Sequence, residues 1–185
     1  MFAILVSALL LSQQATVALS EPASASESSD TQEPAETQQR AKSRVSEALL
    51  LDGATAAAIA DTVAAWGPHL SEAQVYDISH AIARQTRQHN LRAPLVVALI
   101  KVESGYNTRA VSPTNDHGLM QLHGEPVYDI ERNIALGCRE LATWRATYDC
   151  GEREMLAHYN GGCRPPGVSL GYADRVLGLA EEATQ

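Results

Sequence analysis

Glu103 is the side chain on which a chemical reading of this sequence turns. Val96, Leu99, Ile100 and Glu103 stand at i, i+3, i+4 and i+7, so a helix over this stretch carries the carboxyl on the same face as three core side chains. Partial removal from water penalises the ionised form and raises a carboxyl pKa. Under that condition a carboxylic acid keeps its proton near neutral pH and serves as a general acid. The plainer alternative is a solvated or paired Glu in a last helical turn, with Lys101 and Arg109 as the nearby cations. His69, His80 and His89 have no cysteine or carboxylate at ligand spacing, and Glu154 with His158 lacks the HExxH pattern, so no metal and no cofactor is assigned.

The elements that must position Glu103 read as helices. A weak helix is predicted over Val45–Leu51 and an Ala-rich one over Thr55–Trp66, stopped by Gly67-Pro68. Ser71 and Gln74 form a capping-box pattern, and Val75, Ile78 and Ile82 continue a helical stripe to about His89. Pro94 suits a first helical turn, and Leu95–Glu103 follows as a strongly apolar helix ending at Ser104-Gly105. The stretch from Tyr106 to His117 is rich in Asn, Thr, Ser, Pro and Asp, which predicts a long ordered loop or short hairpin. Helices resume over Glu131–Tyr148 and Gly151–Asn160, and a last one starts near Tyr172. With no repeat and no alternating run of useful length, the fold class is mainly α.

The 185 residues allow one domain with a real core. Fourteen basic against 22 acidic residues leave a net charge of -8 with no basic block, which argues against nucleic acid as a partner. Aromatics are only 5% of the chain, so the core must be built from Ala, Leu, Val and Ile. Met1–Leu11 is apolar and no charge precedes Glu21, the pattern of a signal peptide or apolar leader over residues 1–20. Residues 21–44 are poor in apolar side chains and are expected to be a disordered linker, leaving 45–185 as the domain. In an oxidising compartment two of Cys138, Cys150 and Cys163 are expected to pair and close a small loop.

Glu103-Ser104 is followed by Ala110-Val111-Ser112-Pro113, Gly118-Leu119-Met120-Gln121, Asn133-Ile134, His158-Tyr159-Asn160 and Tyr172. In this ordered set the stretch from about Ile82 to Val176 resembles the catalytic domain of the soluble lytic transglycosylases, relatives of goose-type lysozyme. Each piece is weak alone; the order and spacing carry the resemblance. The chain departs from the family pattern at Leu122-His123-Gly124, where an apolar residue and a Pro are usual, and at Asp116-His117, where Gly or Ala is common. The first departure implies a more polar groove wall beside Gln121, and the second a different hydrogen bonding of the loop.

The resemblance implies a lysozyme-like helical domain with a short loop or small hairpin after the catalytic helix. It implies cleavage of the MurNAc-GlcNAc β-1,4 bond of peptidoglycan, with Glu103 acting first as acid and then as base to form 1,6-anhydromuramic ends. Ser112, Gln121, Tyr159, Asn160 and Tyr172 become candidates to orient the sugar and Glu103. Plainer roles exist for three of them: Ser112 as a turn former, Asn160 as a helix C-cap and Tyr172 as core. Asp116, Glu125 and Asp129 are downstream carboxylates, expected to be solvated loop charges and not partners of Glu103. The alternatives are a goose-type muramidase with Asp116 activating water, and a non-enzymatic glycan-binding assembly protein. The expected partners are peptidoglycan strands and a secretion, conjugation or phage assembly. The expected location is exported, in the periplasm or envelope, or on a virion.

Overall fold

The computed structural model describes residues 35–124, 126–165 and 167–184. The leader, the linker up to residue 34 and Glu125 lie outside them. Among the described residues the order is α1 (Ala35–Trp66), α2 (Glu72–His89), α3 (Ala93–Ser104), β1 (Asp116–His117), β2 (Leu122–His123), α4 (Ile130–Tyr148), α5 (Glu152–Gly161) and α6 (Gly167–Glu182). This is the mainly α class with a small hairpin after the third helix.

Two boundaries differ from the sequence reading. α1 is one helix beginning at Ala35, where a linker to residue 44 and two separate helices are expected. Gln39, Arg40, Ala41 and Lys42 are good helix formers, and the single Gly53 costs only about 1 kcal/mol, too little to break a long helix. The low apolar content of residues 37–44, which suggested disorder, instead belongs to an exposed stretch of helix, and the exposure runs on through the apolar Val45, Leu49, Leu50 and Leu51. Packing starts at Asp52, whose carboxylate receives Arg87 Nε at 2.6 Å and Nη2 at 3.0 Å, and continues through Ala56, Ile59 and Val63. α6 begins at Gly167, five residues before Tyr172, because Ser169 is already buried and bonded to Asn160.

α2 carries the expected capping box: Gln74 N–H donates to Ser71 Oγ at 3.2 Å and Ser71 N–H to Gln74 Oε1 at 3.0 Å. α3 is the centre of the domain, with every residue from Leu95 to Ile100 buried and α1, α2 and α6 packed around it. A helix apolar on all sides must be surrounded. Gly105 ends it in the left-handed conformation, φ 57°, with its N–H donating to Lys101 O. That stop leaves Glu103 in the last turn, at the edge of the core.

The cysteine expectation is corrected. All three thiols are free. Cys138 is buried within α4, while Cys150 and Cys163 stand before and after α5, a helix of ten residues and so about 15 Å long. A disulfide tolerates Cα separations of only about 7 Å.

Candidate active site

Glu103, Ser112, Asp116, Gln121, His123, Glu140, Tyr159 and Asn160 line one cleft of about 340 Å³. Neither cation that competes for Glu103 in sequence reaches it. Lys101 Nζ caps the end of α1 by donating to Trp66 O at 2.9 Å, and the Arg109 guanidinium lies over the Tyr128 ring, 5.3 Å from its centroid. The Glu103 carboxyl instead accepts a hydrogen bond from the Tyr172 hydroxyl of α6. Burial raises its pKa to about 7, the Tyr172 bond opposes that shift, and the negative charges of Asp116 and Glu140 add to it. Desolvation wins because one phenol replaces several waters.

The wall opposite is built on the hairpin. Asp116 pairs with His123 and His117 with Leu122 across an antiparallel turn made by Gly118-Leu119-Met120-Gln121, and Val111 adds a bridge to His117. Gly118 has φ 78°, and a Cβ there would sit 2.4 Å from Asn133 Nδ2, so only glycine fits. The buried Asn133 of α4 pins the turn. Its Oδ1 accepts from Met120 N–H at 2.9 Å, and its Nδ2 donates to His117 O at 3.1 Å and Val127 O at 2.8 Å. Gly137, one helical turn on, leaves room for the Met120 side chain, whose sulfur would lie 2.4 Å from an added Cβ.

Each expected site residue has a definite place. Tyr172 alone of the five bonds Glu103. The Tyr159 hydroxyl donates to Met120 O at 2.7 Å, which ties α5 to the turn. Gln121 Nε2 donates to Gly118 O at 2.9 Å, and Gln121 itself sits at φ 50°. Ser112 Oγ donates to Asp116 Oδ2 at 2.8 Å and accepts Asp116 N–H at 3.0 Å, the turn role. Asn160 Oδ1 accepts from Ser169 Oγ at 3.0 Å and locks α5 to α6, and the helix cap is Gly162. Burial holds the Tyr159 and Tyr172 phenols in their protonated, hydrogen-donating forms by raising both pKa values.

Two expectations about carboxylates need revision. Asp116 is not a solvated loop charge: it shares the cleft with Glu103, because the hairpin folds back over the end of α3. Burial alone would raise its pKa, but hydrogen bonds from Thr114, His123 and Ser112 outweigh that and hold it below the usual range. Asp129 caps α4 by accepting Arg132 N–H at 2.8 Å and does not line the cleft. Sequence reasoning missed Glu140, one turn beyond Gly137 on the face of α4 toward the cleft, where it accepts from Trp144 Nε1 at 3.3 Å. It also missed the structural part played by Asn133; the signal available was Asn133 standing on the helix that follows the Gly-Leu-Met-Gln turn. A larger depression of about 450 Å³ between α2 and the start of α4 has its Arg84 and Glu131 side chains bonded to each other.

The described residues form a mainly helical domain with a small hairpin, whose cleft holds a buried carboxyl at the end of its central helix. The family model described as the transglycosylase SLT domain matches residues 80–170, from α2 into α6, and these residues form a transglycosylase SLT domain. Among solved structures the chain is similar to an inactive mutant of the lytic transglycosylase Slt from Pseudomonas aeruginosa, at 20% identity and a TM-score of 0.48. That match covers 56% of this chain and 23% of the Slt chain, so this chain spans less than a quarter of that protein.

Proposed function

We propose that this protein is a lytic transglycosylase that cleaves the MurNAc-GlcNAc β-1,4 bond of peptidoglycan and closes a 1,6-anhydromuramic ring. The observation that carries the reading is the buried Glu103 carboxyl, with a pKa near 7 and no cation beside it among the described residues, within an SLT domain. The protonated carboxyl donates its proton to the glycosidic oxygen as the C1–O bond breaks. Positive charge at C1 is shared with the carbonyl oxygen of the substrate's 2-acetamido group, which dispenses with a second carboxylate. Glu103, now ionised, takes the proton of the sugar's own 6-hydroxyl while O6 bonds C1. The acid is regenerated and no water is consumed.

Tyr172 orients Glu103 directly, and Tyr159, Gln121 and Ser112 hold the walls against which the sugar lies. The muramidase reading requires Asp116 to take a proton from water. Both oxygens of Asp116 already accept hydrogen bonds and its pKa is depressed, so it is a poor base. Because peptidoglycan lies outside the cytoplasmic membrane, the reading carries with it an exported location.

The test is mass spectrometry of products from purified peptidoglycan in heavy-oxygen water. Anhydro ends, one water lighter than reducing ends and free of the label, are expected. Labelled reducing ends would establish the hydrolase, and an absence of cleavage by folded protein would leave a glycan-binding role.

A further inference from the structure

We propose that His123 is a substrate-binding residue of the cleft, an imidazole anchored by Asp116 whose Nε2 accepts a hydrogen bond from a hydroxyl or amide N–H of the bound glycan. The inference rests on the glycan reading above and names a contact that reading does not contain.

The hairpin register sets Asp116 and His123 directly opposite each other, and His123 Nδ1 lies 2.9 Å from Asp116 Oδ1. An ionised carboxylate only accepts, so Nδ1 carries the hydrogen, and in the neutral form of that tautomer the lone pair is at Nε2. Asp116 is fixed before His123 is considered. Its Oδ2 accepts from the Ser112 and Thr114 hydroxyls, and its backbone N–H donates to Ser112 Oγ. The anchor is therefore rigid on the protein side while the imidazole itself is 81% exposed. His123 lines the same cleft as Glu103, Gln121, Tyr159 and Asn160, whose side chains are mostly spent on bracing the walls. Asp116 is then a positioning residue that acts through His123.

A purely structural role, bracing the hairpin through Asp116, makes a different forecast, and two substitutions separate the roles. His123→Asn keeps a donor where Nδ1 stands and removes the outer nitrogen. His123→Gln loses the anchor and keeps an acceptor near the position of Nε2. Each is made in Glu103→Gln protein, which cannot turn over, and equilibrium binding to purified glycan strands stripped of their peptides is measured, with thermal unfolding as the check on folding. Binding about tenfold weaker is expected for His123→Asn and His123→Ala, with His123→Gln recovering to within about threefold of the parent. Parent-like binding by His123→Asn overturns the contact and leaves a brace. Failure of the Glu103→Gln parent to bind the strands at all removes the glycan reading, and this contact with it.

Discussion

The two sides of the cleft treat a carboxyl group in opposite ways. On the α3 side Glu103 loses water, gains one phenol and is pushed up to about 7. On the hairpin side Asp116 also loses water, yet three side-chain donors more than restore what water gave, and it is held down. The difference comes from backbone geometry. A helix end surrounded by Val, Leu and Ile offers few donors, whereas a tight hairpin brings Ser112, Thr114 and His123 within reach of one carboxylate. Burial alone therefore does not make an acid; burial without replacement hydrogen bonds does.

Breaking the α3 side should have the largest effect. Glu103→Gln removes the transferable proton and keeps the shape, so cleavage should fall by at least about 10³-fold while the circular dichroism spectrum is unchanged. Near wild-type turnover by the folded variant would end the assignment. The same substitution should stabilise the protein at alkaline pH. The folded pKa is near 7 against an ordinary 4.5, so the native state resists ionisation that the unfolded chain undergoes freely. Stability is then lost as pH climbs from about 4.5 to 7. At pH 8 Glu103→Gln should recover up to about 3 kcal/mol in urea unfolding, and almost nothing at pH 4.

Removing the pin between α4 and the hairpin tests the other wall. Asn133→Ala leaves Met120 N–H and the carbonyls of His117 and Val127 without their partner, which should cost about 2–4 kcal/mol in urea unfolding and lower activity as the turn loosens. A loss under 1 kcal/mol would mean that other contacts hold the turn.

The smallest effects sharpen the comparison. Asp116→Asn removes a negative charge that raises the Glu103 pKa, so the alkaline limb of the rate profile should move to lower pH, with activity within about tenfold of wild type. Tyr172→Phe removes the bond that lowers it, so the limb should move up. Shifts in the same direction for both variants would contradict the proposed balance.

Much of the α3 side was legible in sequence. The i, i+3, i+4, i+7 stripe places Glu103 against the core whatever surrounds it, and Ser104-Gly105 marks the stop that leaves it at the edge. The helices α2, α4 and α5 likewise follow from caps and periodicity. The hairpin side was legible only as a motif, because its geometry depends on long-range partners. Asn133 reaches back to residues 117, 120 and 127, and nothing local in Asp116 announces that the chain will return it to Glu103. Glu140 was hidden for the same reason: on α4 it reads as a solvated helix charge until α4 is set against the cleft. The early start of α1 was missed because the composition of a polar linker and that of an exposed helix are alike.

The most direct test of the account is the titration of Glu103 itself, followed through its side-chain carboxyl carbon by NMR and assigned by its absence in Glu103→Gln. A midpoint near 7 is expected. A midpoint in the ordinary range near 4.3 would show a solvated carboxylate at neutral pH and contradict the claim that this cleft keeps an acid ready for the glycosidic oxygen.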